Sequence, residues 1–204
     1  GSDFAAFHSR EYGGEIDEES VIQAAAEIDT ALENLFAMEE SKQTLKSATL
    51  LMPQRTLIFS HSGVSVRAVP DLVVFFRDRP PIIVDWKVHV FGIYEAWLQL
   101  GVYALALTHC KPHNDFPPQI RGIQAEQIEL IEVQLLKNRA RRYSLSSEEI
   151  EATEAHIAGS ATEILLAVDG KKSNQLSPED FAVTGFGAVC QSCCFQSCCW
   201  GGIA

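Results

Sequence analysis

The chain has no apolar run long enough to cross a bilayer: across its 204 residues, charge or proline interrupts every apolar stretch well short of the ~20 residues that a helical span needs. The first residues also lack a basic head followed by an apolar core, so no secretory leader is read there. The expectation is a cytoplasmic protein with no membrane partner. There is no G-x-S-x-G elbow and no G-x-x-x-x-G-K-[ST] loop, which argues against a serine hydrolase of that type and against a nucleoside triphosphatase. Internal repeats are absent. Cysteine is missing before Cys110, and five of the six cysteines crowd between Cys190 and Cys199. Positive charge is scarce as well, because 16 Lys and Arg face 27 Asp and Glu for a formal net charge of −11. Such a surface repels a phosphate backbone, so any contact with nucleic acid must be local.

What the chain does have is Val69-Pro70-Asp71-Leu72-Val73-Val74, followed after Arg77-Asp78-Arg79-Pro80-Pro81 by Ile82-Ile83-Val84-Asp85-Trp86-Lys87-Val88. The two apolar runs around a charged, proline-rich break read as a β-hairpin, with one acid at the polar end of each strand. Side chains alternate along a strand, so Asp85 and Lys87 share a face while Trp86 takes the other. Two carboxylates and an ammonium group on a rigid sheet suit a hard divalent cation such as Mg2+ or Mn2+ that keeps several of its waters. A lysine beside such a cation can orient water and offset charge building on a phosphoryl oxygen. Downstream, over 93–107, Glu95, Gln99 and Tyr103 fall at i, i+4 and i+8 on a helix whose apolar side is Trp97, Leu100 and Ala104.

These residues resemble the PD-(D/E)XK nuclease superfamily, in particular its RecB-like and AddB-like exonuclease branch. Pro70-Asp71 with Asp85-Trp86-Lys87 matches the name-giving motif, and Gln99-Leu100-Gly101-Val102-Tyr103 is similar to the branch's Q-x-x-x-Y helix. The resemblance runs from about Leu57 to Trp200. It implies a restriction-endonuclease-like αβββαβ core, that is, a mixed central β-sheet flanked by helices, with a C-terminal helix and a cysteine-rich tail. It also implies a metal-dependent deoxyribonuclease acting on single-stranded DNA or DNA ends. Asp71 and Asp85, with the Trp86 carbonyl, would hold the cation, Lys87 would orient water, and Gln99 and Tyr103 would steady the DNA or the lysine. The first helix of such proteins usually donates a further acid or histidine, for which Glu33 and Glu27 are the candidates, Glu33 being preferred because it borders the apolar stripe of Leu32 and Phe36. Cys190, Cys193 and Cys199 reproduce the C-x2-C-x5-C spacing of the CRISPR adaptation nucleases, where the tail helps to bind a 4Fe-4S cluster; thiolates so spaced also suit zinc. The family's fourth cysteine lies upstream of the core. Here it is lost, precedes this sequence, or is replaced by Cys194 or Cys198. Helicase or CRISPR adaptation partners follow from the same resemblance.

The chain is read as one nuclease domain over 1–204, with its core at 20–145 and the C-terminal helix and tail at 146–204. Strands are expected at 56–60, 64–69, 72–76, 82–88 and 128–136. A first helix at 20–40 is expected to be capped by Ser20 and to bury Ile28, Leu32, Leu35 and Phe36. A last helix, opened by the Ser146/Glu149 capping box, is expected to bury Ile150, Ile157, Ala161, Ile164, Leu165 and Val168. Lys137, Arg139, Arg141 and Arg142 form the basic cluster that could track a DNA strand toward the cation; a solvated hairpin end is the other reading. The competing function is an inactive or regulatory nuclease-fold module that binds DNA or protein. A single solvent-accessible point ringed by Asp71, Asp85 and Lys87 would argue against it.

Overall fold

The computed structural model describes residues 16–88 and 96–181, together with Gly185 and Cys190. The chain divides into two compact units, one being Ala25–Ala161 and the other the chain on either side of it. In the larger unit a five-stranded sheet runs in the order β1-β4-β5-β6-β7, from β1 (Leu50–Pro53), β4 (Leu72–Phe75), β5 (Ile82–Lys87), β6 (Glu129–Gln134) and β7 (Arg139–Tyr143). The strands β2 (Leu57–His61) and β3 (Val64–Ala68) pair only with each other, through a turn at Ser62 and Gly63 where φ is positive. The expected β4–β5 hairpin is present. β5 and β6 are parallel, because the helix α3 (Ala96–His109) carries the chain over the sheet between them. The result is the mixed α/β sheet flanked by helices that the motifs implied.

The pleat of β5 sorts the interior into two layers. Ile83 joins Val73, Phe75, Leu130 and the α3 residues Leu100, Ala104 and Leu107 on one face, here called the front. Ile82, Val84 and Trp86 join Leu72, Val74, Ile131 and Val133 on the back. α1 (Glu18–Ala37) and α2 (Glu39–Lys46) cover that back face through Ala31, Leu35, Met38 and Leu45. α3 is apolar almost all round, and its residues pack both on the sheet and on Leu57, Phe59 and Ala68 of the β2–β3 hairpin. Each of the large side chains so buried contributes about 1.5–3 kcal/mol of hydrophobic stabilisation. Gly101 on α3 admits α4 (Ser147–Val168) at close range: a Cβ there would stand 2.8 Å from Thr153 Oγ1.

Several local expectations need correction. The first helix ends at Ala37, because Met38 adopts an extended ψ of 91° before α2 begins. Its start is capped by Asp17, whose Oδ1 accepts the Ser20 N–H at 2.7 Å; this hydrogen bond also holds the Asp17 carboxyl below the ordinary aspartate range. Ile28, Leu32 and Phe36 are exposed, and the face that packs is the one bearing Ala31 and Leu35. On α4 the Ser146/Glu149 capping box is formed, but burial stops at Ala161 and leaves Ile164 and Leu165 open. Trp97 is exposed while Leu100 and Ala104 are buried. The edge strands β1 and β7 had no alternating apolar pattern to announce them and exist through pairing with β4 and β6.

Candidate active site

Asp71 immediately precedes β4 and Asp85 stands near the end of β5. The hairpin register pairs Leu72 with Val84, so its next step sets Asp71 beside Asp85. Asp71 Oδ2 accepts the Trp86 N–H at 2.8 Å, which ties the start of one strand to the end of the other. The Trp86 ring goes to the back face, as strand alternation requires.

Asp85 is 2% exposed, and its Oδ2 lies 2.7 Å from Lys87 Nζ. Lys87 Nζ also donates to Gln99 Oε1 at 2.7 Å, and Gln99 Nε2 donates to the Tyr103 hydroxyl oxygen at 2.7 Å. Asp85, Lys87, Gln99 and Tyr103 thus form one polar chain from β5 onto α3. Helical spacing makes this possible, since Gln99 and Tyr103 are four residues apart on the α3 face that meets the sheet. Burial pushes the Asp85 carboxyl above the ordinary aspartate range; the contact with Lys87 opposes that rise, while the neighbouring charges of Asp71 and Glu132 add to it. Burial likewise raises the Tyr103 phenol, with Gln99 opposing and Asp85 and Asp71 adding to the rise.

Sequence reasoning missed two residues of this face. β6 registers Glu132 against Asp85 and Gln134 against Lys87, and Glu132 is fully buried. Its Oε1 accepts a hydrogen bond from Gln134 Nε2, and its Oε2 accepts one from Tyr143 at 3.2 Å. The available signal was two polar residues at i and i+2 in the otherwise apolar Leu130-Ile131-Glu132-Val133-Gln134-Leu135.

Glu33 is not brought to this cluster. It is exposed on α1, the helix that covers the opposite face of the sheet and reaches it with Ala31, Leu35 and an Asn34 Nδ2–H donated to Leu135 O at 2.7 Å. The basic cluster divides. β7 registers Arg141 against Glu132 and Arg139 against Gln134, on the front face, whereas Arg142 registers against Ile131 on the back and forms an ion pair with Glu129. Lys137 is exposed in the turn between β6 and β7. Glu95, Cys193 and Cys199 lie outside the described residues, as do Cys194 and Cys198, while Cys190 is half-buried. Among the described residues no three Asp, Glu, His or Cys side chains converge closely enough to enclose a metal by themselves.

The match to the PD-(D/E)XK nuclease superfamily model extends over residues 6–200, nearly the whole chain. The chain belongs to the PD-(D/E)XK nuclease superfamily. Two solved structures are similar to it. That of SSO0001 has 13% identity and a TM-score of 0.44, and the match covers 96% of this chain and 78% of that one. A "Putative exonuclease" from Eubacterium rectale has 11% identity and a TM-score of 0.48, with 90% and 70% covered. No curated protein matches the chain.

The donor set of this nuclease-family member fits a divalent cation. Asp85 Oδ2 is buried in ionic contact with Lys87 but accepts no regular hydrogen bond, and Asp71 and Asp85 are hard oxygen donors on neighbouring strands. Two carboxylates leave the remaining positions to water or to substrate oxygen, as Mg2+ and Mn2+ favour. Among the described residues no helix is long and apolar enough to cross a membrane.

Proposed function

We propose that the protein is a metal-dependent deoxyribonuclease of the RecB-like kind, hydrolysing phosphodiester bonds of single-stranded DNA or DNA ends. The observation that carries this reading is the continuous contact from Asp85 through Lys87 and Gln99 to Tyr103, next to Asp71. It joins a pair of hard oxygen donors, a cation and a phenol at one polar end of the sheet.

Asp71 and Asp85 would hold Mg2+ or Mn2+, with the Trp86 carbonyl beside them. When bound, the cation supplies a polarising charge on the phosphate and lowers the pKa of a ligated water. Lys87 is pinned between Asp85 and Gln99, which leaves one N–H of its ammonium to orient the attacking water, while its positive charge offsets the charge that accumulates on the non-bridging oxygen. The oxygen–phosphorus bond to water forms as the bond to the leaving sugar oxygen breaks; the water gives up a proton to solvent, and the leaving oxygen takes one from solvent. Tyr103 accepts from Gln99 Nε2, which leaves its own O–H free to donate to a DNA phosphate. Burial raises the phenol further above its ordinary value, so it stays a donor.

Arg139 and Arg141 stand on the front face and make a short basic approach within an acidic molecule. That favours one strand entering locally over a duplex lying across a wide surface. The spacing of Cys190, Cys193 and Cys199 supports a 4Fe-4S cluster, with zinc as the other occupant; iron and sulfide analysis of anaerobically purified protein decides between them.

The decisive test is incubation with end-labelled single- and double-stranded DNA, with and without Mn2+. Cleavage of single strands or ends that needs Mn2+ supports the reading. Metal-dependent DNA binding without cleavage would favour the inactive module instead.

A further inference from the structure

Glu132 is the most deeply buried charged group among the described residues, and the mechanism above does not use it. An ionised carboxylate in a sheet interior is expensive to keep unless donors surround it. Glu132 has such donors: Gln134 Nε2 serves one oxygen and Tyr143 the other, and the positive charge of Arg141 is registered directly across on β7. On the other side, β5 registers Asp85 against it, about 5 Å away at the ordinary spacing of paired strands.

The sheet does not require a carboxylate at this buried position. Leucine or valine would fill an interior position of β6 without any desolvation cost, as Leu130 and Val133 do. Its neighbour Gln134 is 4% exposed, with Oε1 buried and lacking a hydrogen-bond partner, and it registers against Lys87. The Glu132–Gln134 pair is therefore registered beside both working residues of β5, and one acceptor oxygen of Gln134 is left over.

We propose that Glu132 is a positioning residue for the Asp71–Asp85 cation site, raising its cation affinity by its charge and holding Gln134 against Lys87, without ligating the ion itself. This rests on the reading of Asp71 and Asp85 as the cation ligands. Groups that touch ligands, and not the metal, change metal affinity by roughly 10–100-fold when removed. A negative charge on the neighbouring strand, registered against the ligand, acts in the same direction by Coulomb attraction through a poorly screened interior. Glutamine in place of Glu132 removes the charge and keeps the shape. Its carbonyl can accept from Gln134 and its amide can donate to the Tyr143 oxygen, so the fold is retained.

The experiment is Mn2+ titration of the full chain, in the absence of DNA, by calorimetry and by the loss of free-Mn2+ paramagnetic signal. Wild type, Glu132→Gln, Tyr143→Phe and Asp85→Asn are compared, each with its thermal unfolding midpoint. Asp85→Asn should abolish tight binding, and Glu132→Gln should weaken it about tenfold or more at an unchanged midpoint. Tyr143→Phe removes one donor but leaves the charge, so it should weaken Mn2+ binding less than Glu132→Gln does. If wild type binds Mn2+ and Glu132→Gln binds it equally well, Glu132 is a structural residue and the inference is overturned. If wild type itself binds no Mn2+, or Asp85→Asn binds as wild type does, the cation-site reading fails first and the inference with it. Should Glu132→Gln unfold, Glu132→Leu removes the charge with an apolar side chain that suits the sheet interior, and Mn2+ binding by that variant as tight as in wild type would overturn the charge argument.

Discussion

The two faces of β5 belong to one six-residue strand and could hardly differ more. The back carries Ile82, Val84 and Trp86 into an apolar layer beneath α1 and α2, while the front carries Asp85 and Lys87 into a polar cluster beneath α3. The back layer is stabilised by removing apolar surface from water, an effect that tolerates many shapes. The polar end of the front, past the apolar contacts of Ile83, is held by hydrogen bonds and an ion pair in low dielectric, where each group depends on its partner. A single strand therefore couples a tolerant support to an intolerant site, and neighbouring residues should respond to mutation in opposite ways.

Neighbouring substitutions on the two faces should break that comparison most visibly. Lys87→Ala should lower the rate of DNA cleavage by about 10²–10³-fold, as expected for loss of a donor to a charge that develops in the transition state, with a near-native circular dichroism spectrum. Trp86→Leu, one residue away, should cost about 1–2 kcal/mol of stability while leaving the rate within a few-fold of wild type. Urea unfolding together with single-turnover cleavage reads both effects. Equal effects of the two substitutions on rate would mean that the faces do not divide support from chemistry.

β7 offers the same comparison in a second strand. Arg141 and Arg142 are adjacent but face opposite sides, one toward the cluster and the other toward Glu129. Replacing Arg139 and Arg141 together by Ala should reduce the slope of log affinity against log salt by about one unit for each DNA phosphate that the arginines no longer neutralise. Arg142→Ala should leave that slope unchanged. Fluorescence anisotropy with labelled single-stranded DNA measures both, and a flatter slope for Arg142→Ala would move the DNA path to the back face.

How much was legible in the sequence follows the same division. Asp71, Asp85, Lys87, Gln99 and Tyr103 could be read because short-range geometry brings them together: a hairpin register, strand alternation and a helical i, i+4 step. Glu132 could not be read in the same way. Its meeting with Asp85 depends on which strand lies parallel to β5 and in what register, and no local pattern encodes that. The first helix was misjudged for a related reason. Its large apolar stripe of Ile28, Leu32 and Phe36 signals a buried face, yet the sheet takes the smaller face with Ala31, which permits closer approach. The basic cluster read as one patch in sequence and divides in space because residues 141 and 142 alternate across the strand.

A third prediction concerns the support of α3, on which Gln99 and Tyr103 ride. Gly101→Ala places a methyl group 2.8 Å from Thr153 Oγ1, so α3 and α4 must separate. The overpacking should cost about 1–3 kcal/mol, partly offset by alanine's better helix propensity of about 1 kcal/mol. Thr153→Ala in the same chain should recover much of the loss, because it removes that hydroxyl and leaves a Cβ at ordinary contact distance. Additive losses in the double-mutant cycle would show that the two helices do not meet at this point.

The smallest expected effect tests the front face by pH. Burial raises the Asp85 carboxyl above its value in the unfolded chain, against the opposing pull of Lys87. The folded state therefore binds this proton more readily than the unfolded state does. Asp85's contribution to stability is fullest below the unfolded value, near the ordinary aspartate 3.8, and is lost as pH rises through the raised folded value. Asparagine cannot titrate. Wild type should accordingly gain stability relative to Asp85→Asn on acidification through that window, whatever the absolute order of the two at neutral pH. Melting temperatures of both proteins across the acid range provide the check. Wild type losing stability relative to Asp85→Asn as pH falls would mean that the contact with Lys87 outweighs burial, and that the site keeps Asp85 ionised by pairing it and not at the expense of stability.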